Sequence, residues 1–189
     1  MSSSQEIEIK FRVKDLGDLS RDLQNAKFRV VTVRTHEANT LYDLPDKALR
    51  RRGKLLRLRH YGSIWTLTHK SKGKSGPHKV RTELETKIAD GEKMNAILHA
   101  LGYAESFLYE KLRTEWSDGT GHVVIDETPI GNFGEIEGPA EWIDRTAEIL
   151  GIARGDYITQ SYAELFSEWK RENRIDAENM LFPAVANSR

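Results

Sequence analysis

The chain has 189 residues, which is long enough for one domain with a substantial core and short for two ordinary domains. Its 29 Lys and Arg residues match 29 Asp and Glu residues, so no net field attracts nucleic acid or a membrane surface, and any anion site must be local. The lack of cysteine excludes disulfide bonds, thiolate metal sites and a cysteine nucleophile, which leaves oxygen-rich metal sites open.

Eight segments predict strands, because their polar and apolar residues alternate or their composition is typical of strands. The first alternates strictly from Gln5 to Val13. The third and fourth flank Gly62 as the arms of a hairpin would. In chain order the predicted strands are 5–13, 28–43, 54–60, 64–70, 79–87, 104–116, 121–128 and 131–137. Their short connections predict antiparallel neighbours.

Five segments are predicted to be helical, and the apolar stripes of the amphipathic ones indicate that they pack on the strands from outside. They are 15–24, 46–52, the segment between the N-cap residue Asp90 and the stop residue Gly102, 140–150 and 161–171. The last helix carries a stripe at helical spacing, which favours core packing over ligand contacts. This stripe is Tyr162, Leu165, Phe166 and Trp169. We predict a single domain at 1–172 and a C-terminal tail at 173–189.

Charged residues on the predicted strands lie two positions apart, so they point to one face of each strand. They are Glu6, Glu8, Lys10, Arg57, Arg59, Lys70, Lys79, Arg81, Glu83, Glu85, Lys87, Lys111, Arg113, Asp126, Glu135 and Glu137. On one strand alone, a solvated face is the simpler interpretation. Across the chain, however, acids and bases tend to lie on different strands, and the opposite faces are apolar. This pattern indicates a sheet closed on itself, with helices outside and charges in its lumen.

Each charge in such a lumen needs an opposite charge nearby, because a desolvated ion without compensation costs on the order of several kcal/mol. Two carboxylates at i and i+2 of a strand lie roughly 6.6 Å apart, close enough to reach a common cation. Mg²⁺ or Mn²⁺ suits such all-oxygen sites and commonly keeps phosphate oxygens as further ligands. Arginine side chains hydrogen-bond two phosphate oxygens at once. The pattern therefore predicts acids that bind a metal and bases that bind phosphate.

The sequence Glu6-Ile-Glu8-Ile-Lys10 resembles the E-x-E-x-K signature of the CYTH group, also called triphosphate tunnel metalloenzymes. The resemblance continues in order over about residues 5–168. It includes Tyr42-Asp43, Leu56-Arg57-Leu58-Arg59, Thr68-His-Lys70, Arg81-Thr-Glu83-Leu-Glu85, Lys111-Leu-Arg113, Ile125-Asp126, Gly134-Glu135-Ile-Glu137 and Ser161-Tyr162-Ala-Glu-Leu165. It implies an α+β fold in which an eight-stranded antiparallel β-barrel forms a tunnel, with a divalent metal and a triphosphate inside and helices packed outside.

By position, the resemblance also implies a role for each charged residue of the tunnel. The implied metal ligands are Glu6, Glu8, Asp126, Glu135 and Glu137. The implied substrate-binding residues are Lys10, Arg57, Arg59, Lys70, Arg81, Lys111 and Arg113, and Lys10 is also the implied catalytic residue. Glu83 and Glu85 are expected to hold a second metal or to be structural. The basic segment 70–78 is longer than the compact turn of the family, which leaves the tunnel rim undefined.

The resemblance implies a Mg²⁺- or Mn²⁺-dependent phosphohydrolase that cleaves inorganic triphosphate or another triphosphate, such as nucleoside or thiamine triphosphate. Water, bound by the metal or oriented by Lys10, would attack the terminal phosphorus. Lys10 could act as a base only with a lowered pKa. One alternative is a class IV adenylyl cyclase that converts ATP to cyclic AMP and pyrophosphate. A second is a polyphosphate- or nucleotide-binding module without turnover.

The expected partner is a small molecule that carries a triphosphate, and no specific nucleic-acid partner is expected. The three arginines at 50–52 are interpreted as a solvated helix end. The first residues lack a basic segment followed by an apolar run, and no stretch reaches the roughly 20 apolar residues of a membrane span. We therefore expect a cytoplasmic protein with no membrane partner, and a homodimer is left open.

Overall fold

The computed structural model describes residues 4–74 and 76–183, so the last six residues of the predicted tail lie outside the described residues. The described chain forms the strands β1 (Ser4–Arg12), β2 (Arg29–Asp43), β3 (Leu55–Tyr61), β4 (Ile64–Lys70), β5 (Lys79–Ile88), β6 (Ala104–Ser117), β7 (His122–Thr128) and β8 (Gly131–Glu137). They close into one antiparallel barrel in the order β1-β5-β4-β3-β2-β6-β7-β8. The predicted α+β fold with an eight-stranded barrel is confirmed.

The helices of the described residues are α1 (Leu16–Asn25), α2 (Ala48–Arg51), α3 (Gly91–Ala100), α4 (Ala140–Ile149) and α5 (Tyr162–Asn173), with a short 3-10 turn at Arg154–Asp156. All of their ends lie within two residues of the prediction. The largest difference in length is that of α2, because Lys47 has a left-handed φ of 56° and the helix begins only after it. Over the described ranges, no helix has both the length and the apolar character that crossing a membrane requires.

The pairing of β1 with both β5 and β8 closes the barrel and sets the two faces of β1. Glu6 lies opposite Arg81 of β5, and Lys10 lies opposite Glu135 of β8. The intervening residue Ile9 points to the other face, where it is fully buried under helices. Strand alternation therefore directs the polar residues of β1 into the lumen, as the sequence pattern predicts.

The largest core outside the barrel lies between the sheet and helices α1 and α4. Its members include Ile9, Phe11, Leu23, Ile136 and Ile143. Phe11 lies across Gly134 of β8, where an added Cβ would approach the phenyl ring to 2.1 Å. Glycine is therefore required at this position for the ring to lie flat on the strand. On another side of the barrel, α3 packs through Leu98 against β2 and β3, beginning at the predicted N-cap residue Asp90.

Helix α5 and the segment after it cover the remaining wall. The helix begins with a capping box, in which the side chains of Ser161 and Glu164 bond the first turn reciprocally. Its Tyr162 and Phe166 pack with aromatic residues that β6 and β8 contribute. Past the helix, Met180 is fully buried and exchanges backbone hydrogen bonds with β6 at 2.9 to 3.0 Å. Part of the predicted tail thus packs on the barrel.

Candidate functional site

The lumen gathers most of the charged side chains that the sequence pattern singled out, but Lys87 is exposed. Two neighbouring groups can be defined by their contacts. The basic cluster consists of Lys10, Arg57, Arg59, Lys111 and Arg113 with the acids Asp126 and Glu135. The carboxylate cluster consists of Glu6, Glu8 and Glu137 with the lysines Lys70 and Lys79. The two groups meet where β1 pairs with β8. Glu8 and Glu137 there belong to the carboxylate cluster, and the next inward pair, Lys10 and Glu135, belongs to the basic cluster.

Asp126 lies among bases and is fully buried. Arg113 donates to both of its oxygens at 2.7 Å each, forming a bidentate pair. The Nζ of Lys111 donates to Oδ2 at 3.0 Å, and the hydroxyl of Tyr162 donates to the same oxygen at 2.6 Å. Four donors already surround this carboxylate, so metal binding by Asp126 stays a prediction that would require some of these bonds to break.

Glu135 and Lys10 form a second buried pair. Lys10 donates to one Glu135 oxygen, and Arg113 donates to the other at 2.5 Å. Burial lowers the pKa of Lys10, but the charges of Glu135 and Glu8 outweigh it and leave the pKa above its ordinary value. A base role for Lys10 required a lowered pKa, so the surroundings of Lys10 act against that role. A protonated Lys10 suits the stabilisation of negative charge instead.

Arg57 and Arg59 on β3 form a wall of donors. Arg57 is 5% exposed and lies 3.8 Å from Glu85, while a weak contact of 3.4 Å joins it to Thr68. Among the described residues, the buried Nε atoms of both arginines have no hydrogen-bond partner. A buried donor without a partner costs roughly 1–3 kcal/mol, so this wall is suited to a ligand that brings acceptor oxygens.

In the carboxylate cluster, like charges crowd together. Glu8 lies opposite Glu137 in the strand register. Burial first, and then Glu6 and Glu8, raise the pKa of Glu137 to about 7. The Glu137 residue is exposed, so solvent weakens the effect of burial on its pKa. Burial and Glu8 likewise raise the pKa of Glu6, although Lys70 donates to it at 2.6 Å.

Glu8 behaves differently, because Lys79 lies 2.9 Å from its carboxylate. Burial raises the pKa of Glu8, but Lys79 and Lys10 outweigh it and lower the pKa to about 2. Glu8 is therefore ionised under all ordinary conditions. The cluster combines one firmly ionised carboxylate with two that hold their protons more strongly than usual.

The residues of this cluster fit a divalent cation in charge and donor type. All their ligand atoms are carboxylate oxygens, which Mg²⁺ and Mn²⁺ prefer. Burial first, and then the charge of neighbouring carboxylates, raise the pKa values of Glu6 and Glu137, and a bound cation would neutralise that charge. In the described ranges, no three acidic or histidine side chains are arranged so that they could bind one metal ion. Glu6 and Glu8 form ion pairs with Lys70 and Lys79 instead.

Glu83 and Glu85 lie on β5 beside the same wall. Lys70 lies 3.1 Å from Glu83, and the hydroxyl of Thr68 donates to Glu85 at 2.6 Å. Burial raises the pKa of Glu83, but Lys70 and Arg57 outweigh it and lower the pKa. Both acids thus have partners within the protein, which favours the structural alternative of the prediction over a second metal.

A cleft of about 610 Å³ opens beside the lumen, where β2, β3 and β6 meet the start of α5. Leu41, Leu55 and Phe107 give it apolar walls, and the predicted substrate-binding residue Arg81 lies at its edge. The Nε of Arg81 is buried and has no hydrogen-bond partner in the described part of the chain. The cleft has room for an organic group next to the charged tunnel.

Sequence reasoning missed Glu37, Asn39 and Tyr162, which contact the charged residues of the lumen or one another. Glu37 and Asn39 lie two apart on β2, so the spacing that revealed the other charges could have found them. Tyr162 was interpreted as a core residue, which is only partly right. Its ring lies 4.5 Å from the ammonium of Lys10, and its hydroxyl binds Asp126. Nothing in the helical spacing indicated this contact.

Comparisons with known proteins agree with this architecture. The adenylate cyclase CyaB of Aeromonas hydrophila is 27% identical over 175 residues, which cover 85% of this chain and 87% of that protein. The X-ray structure of a candidate adenylate cyclase of Vibrio parahaemolyticus has a TM-score of 0.77 at 22% identity, covering 88% of this chain and 99% of the other.

A third protein has the same fold. It is HpAC1 of Hippeastrum, a candidate adenylyl cyclase described as having a dominant triphosphatase activity, with a TM-score of 0.61 at 20% identity over 86% of this chain and 95% of its own. The family comparison is more direct, since residues 4–162 match the CYTH domain. This match spans the barrel, its outer helices and the start of α5. The chain therefore belongs to the CYTH domain family.

Proposed function

We propose that the protein is a metal-dependent phosphohydrolase that cleaves inorganic triphosphate or another triphosphate in its tunnel. The observation that carries this proposal is the pair of buried Nε donors of Arg57 and Arg59, which have no hydrogen-bond partner among the residues that the structure describes. The carboxylate cluster lies in the same lumen. Together they offer donors for a chain of phosphates and oxygens for the cation that accompanies it.

Glu6, Glu8 and Glu137 would hold Mg²⁺ or Mn²⁺. The bound cation would neutralise phosphate charge and polarise the phosphoryl oxygens. Arg57, Arg59 and the bases of β6 hold the phosphate chain in line. Lys10 stays protonated and donates to a phosphate oxygen as negative charge develops there. Ion pairs with Asp126 hold Lys111 and Arg113 in the buried lumen, which limits how far these two side chains rearrange during the reaction.

A class IV adenylyl cyclase is the second candidate, and the cleft beside the tunnel favours it. In that reaction the ribose 3′-hydroxyl of ATP attacks the α-phosphorus and releases pyrophosphate. The apolar walls at Leu41, Leu55 and Phe107 would receive the organic part of the nucleotide. The name of the Aeromonas relative is consistent with this candidate. A binding module without turnover is the third.

The first prediction separates these three candidates. The protein is incubated with tripolyphosphate and with ATP, each with Mg²⁺ or Mn²⁺, and the products are identified. The hydrolase predicts orthophosphate without cyclic AMP, the cyclase predicts cyclic AMP, and the module predicts binding alone.

Glu8→Gln should remove metal-dependent turnover, because it removes a firmly ionised ligand. The control Glu127→Gln, on the outer face of β7, should retain it; equal activity in both variants would refute the metal assignment.

A second prediction concerns the stability of the metal-free protein. Glu137 has a folded pKa of about 7 against an ordinary value of 4.5. Between these values the folded protein keeps a proton that the unfolded chain has lost. Raising the pH from 5 to 7 should therefore lower the free energy of unfolding, which levels off above about 7. Urea unfolding at several pH values measures this loss.

Glu137→Gln is the control for this pH effect, because it keeps the histidines and removes only the titrating carboxylate. The variant should lose less stability over the same pH range than the wild type. Parallel stability curves for the two proteins would show that Glu137 does not titrate near neutrality.

A further inference from the structure

Glu37 is a carboxylate of the lumen to which the proposed function gives no role. It lies on β2 opposite Lys111 of β6, and its side chain is 0% exposed. Its Oε1 accepts one hydrogen bond, from Nδ2 of Asn39 at 2.9 Å. Its Oε2 has no hydrogen-bond partner within the described ranges. A buried carboxylate with so few hydrogen bonds depends on nearby positive charge for its stability.

Three cations from two strands surround Glu37. The Nζ of Lys111 lies 3.3 Å and the Nε of Arg59 3.7 Å from Oε1. The Nε of Arg113 lies 3.8 Å from Oε2. Burial raises the pKa of Glu37, but these three charges outweigh it and hold the pKa far below its ordinary value. Glu37 is therefore an ionised carboxylate between Arg59 of β3 and the two cations Lys111 and Arg113 of β6.

The three cations differ in how firmly they are held. Lys111 and Arg113 also bind Asp126, at 3.0 Å and 2.7 Å. Arg59 has no such second anchor. Among the described residues, Glu37 is the only carboxylate within 4.0 Å of its guanidinium. Of the described carboxylates, Glu37 is therefore the one that attracts the guanidinium of Arg59 at close range, through charge and without a direct hydrogen bond to its Nε.

We infer that Glu37 is a positioning residue, which fixes the guanidinium of Arg59 at a set distance from Lys111 and Arg113 so that one phosphate chain contacts all three. The inference rests on the proposed function in assigning a phosphate chain to the lumen. A fixed spacing favours a chain of matching length over a shorter one. A residue that only balanced charge would act in the opposite way, because its removal adds positive charge and favours the more anionic chain.

The test compares two inorganic anions by titration calorimetry on the metal-free protein. The measured quantity is the Kd for pyrophosphate divided by the Kd for tripolyphosphate. We expect Glu37→Gln to lower this ratio about tenfold, which corresponds to losing one charge-assisted hydrogen bond from Arg59. Glu127→Gln, which removes an outer-face carboxylate paired with Arg34, should leave the ratio unchanged. A ratio that is unchanged or higher in Glu37→Gln overturns the inference.

Asn39→Ala provides the matched second variant. It keeps the charge of Glu37 and removes only the hydrogen bond that orients it, so a lower ratio in this variant cannot arise from net charge. If Glu37→Gln does not fold, Asn39→Ala alone tests the inference. An unchanged ratio of the two Kd values in Asn39→Ala would contradict a positioning role for Glu37. Wild-type turnover of tripolyphosphate is measured in parallel. Tight, length-selective binding without turnover would refute the hydrolase and leave the role of Glu37 intact, whereas a wild type without length selectivity would refute that role.

Discussion

Replacing Arg57 with alanine should lower kcat/KM for tripolyphosphate by about 10²- to 10³-fold, as expected for a donor aimed at charge that develops in the transition state. Arg57 is buried in the lumen wall, and its Nε has no hydrogen-bond partner in the described part of the protein. The side chain is thus available to phosphate oxygens. Steady-state release of orthophosphate with saturating Mg²⁺ or Mn²⁺ measures the effect.

Two further variants make the Arg57 result specific. Arg57→Lys keeps the charge but loses the planar pair of donors, so its activity should lie between wild type and alanine. Arg34→Ala removes an exposed arginine that pairs with Glu127 outside the lumen, and its activity should equal wild type. Unchanged kcat/KM in Arg57→Ala would show that the phosphate chain binds elsewhere.

Replacing Asp126 with alanine should have the largest effect on stability, about 3–5 kcal/mol, because it breaks a buried ion-pair network and leaves its cations with too little negative charge around them. Arg113, Lys111 and Tyr162 all donate to this fully buried carboxylate. The loss should appear as a lower free energy of unfolding in urea, followed by tryptophan fluorescence.

The control for Asp126 is Asp18→Ala on the exposed side of α1. Asp18 forms an ion pair with Arg21 in which both side chains are more than half exposed, so its removal should change stability little. Equal losses of unfolding free energy in the two variants would mean that the buried Asp126 network stabilises the protein no more than an exposed ion pair does. A small loss in Asp126→Ala alone would mean that its cations find other partners.

The substitutions of Arg57 and Asp126 both change a lumen whose charges are arranged in pairs. Composition alone gives a net charge of zero and no reason to expect an anion site. In the folded protein, Lys10 and Glu135 pair on one wall, and Lys70 and Glu6 pair on another. Paired charges make the tunnel tolerable without a ligand. The Nε atoms of Arg57 and Arg59, which have no hydrogen-bond partner over the described ranges, then mark where a ligand adds most.

Local spacing was enough to predict the strands and the inward faces of many of them. Glu6, Glu8 and Lys10 alternate with apolar residues that need a core, so only one orientation of β1 is stable. The same argument applies to Arg57 and Arg59 on β3. These features depend on short-range patterns, which a sequence displays directly.

Long-range pairing could not be predicted from the residues by themselves. The surroundings of Asp126 depend on the packing of α5 onto the barrel, since Tyr162 reaches Asp126 from a helix that begins after a separate turn. The raised pKa of Lys10 likewise depends on Glu135, which is distant in sequence and adjacent only in the closed sheet. The two-residue spacing along the strands predicts which side chains face inward, but it does not predict which of them contact one another across the barrel.

The most direct test of this account is a crystal structure of the protein with tripolyphosphate and Mn²⁺, in which anomalous scattering locates the metal. We expect the anomalous peak at the carboxylates of Glu6, Glu8 and Glu137, with phosphate oxygens bound to Arg57 and Arg59. Phosphate and metal bound outside the lumen, with these side chains unchanged, would contradict the account.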